Sequence, residues 1–251
     1  MRVKGLRVLI RKLLHKMGFG VWKLRSAEII NFYNYLYVLS RLNGSVTYFQ
    51  IGAHDGILVD PLRNFIMDNP EIIRGVQIEP DPVQFKKLKN NYASFPNIVQ
   101  LNFAIHNQLQ VAKMYRVKKA AISTNTSEWS GITSMQPDHW RKTAGIKKVD
   151  IEEFEVNCIT LVDAIEAGGM GIPDIIIIDT EGYDYQILVE IDLAKYRPKI
   201  IRFEHGIASG TMTTNELQIL IGKFNAFGYQ VIVEQNDATA VENSFIFGVF
   251  G

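Results

Sequence analysis

Residues 175–178 are four consecutive isoleucines, and Asp179 and Glu181 follow directly. Successive side chains of a strand point to opposite faces, so an unbroken run of β-branched residues cannot lie on a sheet with one wet face. It requires cover on both sides, the situation of a strand inside a parallel sheet flanked by helices. The rest of the chain agrees with that constraint. Val46–Ile51 runs into Gly52, Gly75–Ile78 into Glu79, and Ile98–Leu101 is a third short apolar run. Asp174–Ile178 and Ile200–Phe203 follow, and Tyr229–Val233 and Phe245–Phe250 close the chain. Helical patterns fill the gaps over 61–69, 82–93, 160–167, 183–195 and 214–227, the first with Asp60 as N-cap and Pro61 in its first turn. Strands spaced by helices predict a parallel sheet with crossovers. The last two runs are joined without a helix, which predicts an antiparallel pair at the sheet edge.

The length of 251 residues suits one large α/β domain or two small ones. The single cysteine, Cys158, cannot form an intrachain disulfide, which fits a reducing compartment. No apolar run reaches the ~20 residues of a membrane span. The net charge of +1 gives no global reason for a nucleic-acid partner, but it hides an asymmetry. Residues 1–25 hold eight Lys and Arg and no acid, while the remaining 19 basic residues face 26 acidic ones, a net of −7. Val3, Leu6, Ile10, Leu13, Leu14 and Met17 share an arc of roughly 100° at helical spacing. Arg11 and Lys12 interrupt the apolar stretch too early for a secretory signal. Two roles fit this segment: an interfacial helix on anionic lipid, or a basic helix packed on protein. Residues 1–44 are therefore set apart from a main domain over 45–251.

Residues 118–150 break the alternation. They are rich in Ser, Thr and Lys, yet hold Trp129 and Trp140. A polar excursion this long reads as a lid or a mobile loop, with the tryptophans stacking on a ligand or anchoring the segment.

The chemistry-bearing residues cluster at strand ends. The first turn, Gln50-Ile51-Gly52-Ala53-His54-Asp55-Gly56, lacks the middle glycine of the dinucleotide fingerprint, and no phosphate-binding Gly-Lys-Ser/Thr loop exists. Glu79, at the end of the second run, is placed to accept from both hydroxyls of a ribose, or to cap the helix that follows. Asp179 and Glu181 after the isoleucine strand, with Glu204 and His205 after the next, converge on the same edge. That set suits acid/base chemistry or an oxygen-rich metal site. His205 is the preferred general base by its intrinsic pKa, with Asp179 or Glu204 orienting it or serving instead; His54 and His139 are weaker candidates.

These residues resemble a known family. Gln50-Ile51-Gly52-Ala53-x-Asp55-Gly56 is followed by Glu79-Pro80-Asp81-Pro82 with Phe85, Leu88 and Asn91. Asn102-x-Ala104-Ile105, Thr160-Leu161-x-Asp163 and Ile178-Asp179-Thr180-Glu181-Gly182-Tyr183-Asp184 with Glu204 complete the set. Together they look like the FkbM family of S-adenosylmethionine-dependent methyltransferases, over roughly residues 45–206. The resemblance implies a Rossmann-like class I methyltransferase fold, a seven-stranded sheet with its last strand antiparallel. It implies O-methylation of sugars or secondary metabolites, with S-adenosylhomocysteine as product. By position, Gln50, Gly52, Ala53, Asp55 and Gly56 would frame the methionine end and Glu79 the ribose. Pro80, Asp81, Asn102 and Ala104 would lie toward the adenine, and Asp179 below the methyl group. Most methyltransferases of this architecture carry an acid where Gln50 stands; either Asp55 compensates or affinity is modest. The function expected is O-methylation of a sugar, glycan or glycolipid precursor in polysaccharide biosynthesis, in the cytoplasm or on the inner face of a membrane. The alternatives are a non-catalytic binding module in a glycan-assembly complex and a small-metabolite methyltransferase. No metal ligand is assigned, and a divalent metal at the acids stays open.

Overall fold

The structure is a computed structural model that describes residues 32–58 and 60–248. The basic segment 1–25 lies outside the described residues. The main sheet has seven strands: β1 (Val46–Ile51), β2 (Ile73–Ile78), β3 (Ile98–Leu101), β8 (Ile175–Ile178), β9 (Ile200–Glu204), β10 (Tyr229–Val233) and β11 (Asp237–Glu242). Their order is β10-β11-β9-β8-β1-β2-β3. β1 pairs in parallel with both β2 and β8, and β11 pairs antiparallel with both β9 and β10. The chain thus leaves β1 in one direction and returns on its other side. This makes the carboxyl ends of β1 and β8 a topological switch point, where a crevice opens.

The period of two explains the isoleucine run. Ile176 and Ile178 pack with Phe49, Ile51, Val76, Ile78, Ile201 and Phe203 on one face. Ile175 and Ile177 pack with Val46, Tyr48, Ile73 and Ile200 on the other. The first face is covered by α4 (Leu161–Gly168), α5 (Asp184–Glu190) and α6 (Thr214–Ala226). The second is covered by α1 (Phe32–Asn43), α2 (Arg63–Asp68), α3 (Pro82–Asn91) and α7 (Asn243–Gly248). Each buried isoleucine contributes about 1.5–3 kcal/mol, so a polar residue anywhere in the run would be costly.

Helix starts follow local chemistry. Asp81 caps α3 by accepting from the Val83 N–H at 2.8 Å, with Pro82 in the first turn. Thr160 caps α4, and Thr213 with Glu216 closes a reciprocal capping box on α6. Three expectations need correction. Asp60 does not cap α2, which starts after Leu62 without a side-chain cap; its carboxylate accepts from Leu62 N–H and is drawn toward Gln50 and Tyr92. The helix expected over 183–195 stops at Glu190, because Asp192 turns the chain by accepting from the Ala194 and Lys195 N–H groups. The final strand is Asp237–Glu242, not 245–250: Glu242 accepts from the Phe245 N–H at 3.1 Å and starts α7 there. Small side chains at Ala238 and Ala240, both fully buried, let β11 fit between β9 and β10.

The polar excursion is wider than 118–150. Its arms are β5 (Val111–Val117) and β7 (Ile151–Ile159), paired antiparallel over seven residues. With β4 (Ala104–Ile105) and β6 (Thr133–Ser134) they form a second sheet ordered β4-β7-β5-β6. The segment between the arms is built of 3₁₀ turns and lies across the switch point.

Candidate active site

The turn after β1 is dictated by crowding. Gly52 has φ +83°, and a Cβ there would lie 1.7 Å from the Asp179 carbonyl oxygen. Its N–H and that of Ala53 both donate to the Ile78 carbonyl at 2.9 Å, while the Asp179 N–H donates to Ile51. Three strand ends are thereby fastened at one point. Gly56, at φ +70°, serves packing instead: a Cβ would strike Tyr92 and Leu88 of the α3 region.

A cavity of about 740 Å³ opens over this junction, within the range of small-molecule sites. One end is apolar, lined by Pro80, Phe103, Ala104, Ile105, Met114 and Met135. Glu79 stands beside it, 5% exposed. Its two carboxylate oxygens accept from the His54 and Asp81 N–H groups at 2.8 Å each. Burial pushes Glu79 up to about 7, against the opposing pull of those N–H groups and of His54. Asn102 braces this turn from behind, donating to the Glu79 and Pro80 carbonyls at 2.8 and 3.0 Å.

The opposite wall carries Asp179, Thr180 and Glu181. Asp179 is exposed to the lumen of the cavity. Desolvation within the site, first, and then Glu181, Asp184, Glu204 and Asp237 raise it above the usual carboxylate range. Glu181 adopts φ +55°, an unfavourable conformation for a residue with a Cβ. The excursion holds it there. Ser134 Oγ donates to the Glu181 carbonyl at 2.7 Å, Gln136 Nε2 to the Gly182 carbonyl at 2.8 Å, and His139 Nε2 meets Glu181 Oε2 at 2.8 Å. On the other side, Ser130 accepts from His54 Nε2 at 3.0 Å and from Gln84 Nε2 at 3.2 Å. Glu128, Gly131, Thr133 and Met135 line the cavity from this lid.

Gln50, Gly52, Ala53, Glu79, Pro80, Ala104, Asp179 and Glu181 thus line one cavity. Other candidates do not. His205 is buried: its Nε2 is held by the Glu234 carbonyl at 3.1 Å and its Nδ1 accepts from the Ile207 N–H at 3.3 Å. Both ring nitrogens are therefore occupied and no atom faces the cavity, so the general-base expectation for His205 does not hold. Glu204 lies behind the wall. Burial, then Glu181, Asp184 and Asp237, raise it to about 8, and Lys142 opposes them. Asp184, which is buried, organises that region by accepting from Thr180 and from the Glu204 N–H; burial first raises it to about 6.

Asp81 is consumed by its cap and by Arg116 at 2.6 Å, away from the cavity. Asp55 accepts from the Ile57 and Leu58 N–H groups and faces His54, so it does not supply the charge absent at Gln50. Burial would raise Asp55, but His54 and those N–H groups outweigh it and hold it well below the carboxylate range. Trp129 covers Gly145 and Trp140 lies under the Arg141 guanidinium; neither ring lines the cavity, which corrects their stacking role. Among the described residues no three acid, His or Cys side chains converge as a metal site. Asp60, Phe103, Met114 and Arg202 line the cavity without having been expected. Phe103 was discoverable from its place beside Ala104; Met114 was hidden with the unrecognised β5.

Residues 50–231 match the methyltransferase FkbM domain family, and the chain belongs to that family. The strand order and the antiparallel β11 define the Rossmann-like class I methyltransferase fold. No curated protein matches the sequence. Among solved structures, an FkbM methyltransferase from Methylobacillus flagellatus KT aligns at 13% identity and TM-score 0.49, over 78% of this chain and 43% of that one. The chain thus spans less than half the length of that relative. A putative O-methyltransferase from Klebsiella pneumoniae aligns at 12% identity and TM-score 0.42, over 94% and 88%. A precorrin-6y C5,15-methyltransferase from Geobacter metallireducens GS-15 aligns at 12% identity and TM-score 0.41, over 88% and 94%. The family assignment rests on that domain match; among the described residues no helix is long and apolar enough to cross a membrane.

Proposed function

We propose that the chain moves a methyl group from S-adenosylmethionine to a hydroxyl of a sugar, glycan or glycolipid precursor. The observation that carries this reading is one continuous cavity joining an apolar slot, a buried carboxylate and an acid-lined wall. The residues fit the donor. The slot of Pro80, Phe103, Ala104, Ile105 and Met114 accepts a purine. Glu79, with one N–H on each oxygen, keeps lone pairs for two ribose hydroxyls. When bound, the donor supplies an electrophilic methyl on a sulfonium.

Asp179 is the proton acceptor in this scheme. With the donor bound, the proton of an attacking acceptor hydroxyl would pass to Asp179. Desolvation and then the neighbouring acids raise its pKa, which strengthens the ionised carboxylate as a base. Glu181, fixed by His139 and the lid, sets the shape of the wall beside it. Asp179 and Glu181, with Glu234 and Asp237 ion-paired to Arg202 beside them, give this wall the polar character that polyhydroxylated molecules bind.

Titration calorimetry with S-adenosylhomocysteine tests the donor, and mass spectrometry of cell-envelope sugars incubated with S-adenosylmethionine tests the acceptor. Binding with methylated product supports the assignment. Binding without product from any sugar, but with product from a small metabolite, overturns the acceptor class. Residues 1–25 are proposed to attach the enzyme to an anionic membrane surface at the cytoplasmic face. Their net charge of +8 supports this, at about 1 kcal/mol per basic residue before screening. Sedimentation with anionic vesicles, abolished by deleting 1–25, is the expected result; full-length protein that ignores vesicles overturns it.

A further inference from the structure

Gln50 is 3% exposed, lines the cavity, and leaves its Oε1 without a partner. A buried acceptor in that state costs about 1–3 kcal/mol unless a donor arrives. Its Nε2 donates to Asp60 Oδ1 at 3.3 Å, ten residues along the chain. Asp60 also lines the cavity. It is held by the Leu62 N–H at 2.9 Å on Oδ1 and by the Tyr92 hydroxyl at 2.6 Å on Oδ2. Tyr48 and Gln77 surround this group on the same sheet face, so Asp60 is the formal charge of a buried polar cluster. Arg63 acts on Asp60 only through space: its guanidinium lies over the Tyr92 ring at 4.8 Å and donates to the Asn91 carbonyl, and its charge favours the ionised Asp60 without an ion-pair contact. Among the described residues no Lys or Arg forms an ion pair with Asp60. Asp55 is committed to its own turn.

A vacant neutral acceptor next to a carboxylate that is hydrogen-bonded but in no ion-pair contact is a receptor for an ammonium group: one takes a hydrogen bond and the other balances the charge. We propose that Gln50 and Asp60 together receive the α-ammonium of the methyl donor, with Asp60 supplying the negative charge that Gln50 lacks. This rests on the donor assignment above. Asp60 is reached through a turn that no local pattern marks, and Gln50 is placed by the strand, so the pair acts as a divided carboxylate.

The test uses two ligands on the full chain: S-adenosylhomocysteine, which carries the ammonium, and 5′-methylthioadenosine, which lacks the amino-acid arm. Asp60→Asn should weaken the first by roughly 10- to 100-fold and the second by less than about twofold. Adding Gln50→Glu to Asp60→Asn moves the charge to the neighbouring side chain and should restore most of the lost affinity. Thermal melting of each variant separates misfolding from lost recognition. In a folded Asp60→Asn variant, unchanged S-adenosylhomocysteine affinity, or equal loss for both ligands, overturns the proposal. Should Asp60→Asn fail to fold, the Gln50→Glu, Asp60→Asn chain decides: if it folds and binds 5′-methylthioadenosine but not S-adenosylhomocysteine, the proposal is refuted. Wild-type protein that binds neither ligand overturns the donor assignment itself.

Discussion

On the donor assignment proposed above, Glu79 should make nucleoside binding pH-dependent in a direction that its surroundings dictate. The carboxyl is 5% exposed and burial raises it to about 7. A carboxyl raised in the folded state stabilises the protein at low pH and loses that contribution as pH climbs from the ordinary value of 4.5 through 7. In the empty protein the cost is on the order of 3 kcal/mol. Two ribose hydroxyls donating to the carboxylate favour its ionised form and pull the pKa back down. Binding therefore expels a proton wherever Glu79 is still protonated. With a starting value of about 7, affinity should rise roughly tenfold between pH 6 and pH 8, then flatten. At pH 6.5 about three-quarters of a proton should be released per ligand. The probe is 5′-methylthioadenosine, which has neither ammonium nor sulfonium and so leaves Asp60 and Asp179 out of the measurement. Calorimetry in phosphate and in Tris reads the proton count, because the two buffers differ in ionisation enthalpy. Glu79→Gln should bind more weakly and lose the pH dependence. His54→Gln, which keeps the backbone N–H that Glu79 uses, should retain it. Affinity that is flat from pH 6 to 8, or a slope that survives in Glu79→Gln, would refute the ribose assignment.

Three further outcomes follow from the geometry. Asp179→Asn should lower kcat by about 10²–10⁴ while S-adenosylhomocysteine affinity stays within a few-fold, measured by single-turnover kinetics and calorimetry; full activity would remove Asp179 as proton acceptor. His205→Ala should leave kcat within about twofold and lower Tm by roughly 2–8 °C, since it deletes two hydrogen bonds that hold backbone; a large kcat loss with unchanged Tm would return His205 to the chemistry. Gly52→Ala should prevent folding, because its Cβ would lie 1.7 Å from the Asp179 carbonyl oxygen; soluble, cooperatively melting protein would show that the strand junction can open.

The elements with a local cause were readable in the chain. The isoleucine run required cover on two faces, and Ile175 and Ile177 do pack opposite to Ile176 and Ile178. Gly52, Glu79 and Asp179 line the cavity because a strand that ends in a buried sheet delivers its next residue to the crevice. The strands of the lid arms were missed because Val111–Val117 and Ile151–Ile159 alternate with charged residues, among them Lys113, Arg116, Glu153 and Glu155. β11 was missed because its alanines are chosen for space between two neighbours, not for strand propensity.

The division is sharpest among the titratable residues. Sequence position put His205 and Asp81 just after strand ends, yet neither lines the cavity. Their roles were decided by partners remote in the chain: the Glu234 carbonyl, 29 residues on, takes the imidazole, and Arg116, 35 residues on, takes the carboxylate. Asp60 moved the other way, from helix cap to cavity wall, because Tyr92 and Gln50 close around it. A side chain's identity and its place along a strand are properties of the sequence. Whether its polar atoms are free for a ligand depends on which distant backbone and side-chain groups reach them first, and only the folded chain brings those groups together.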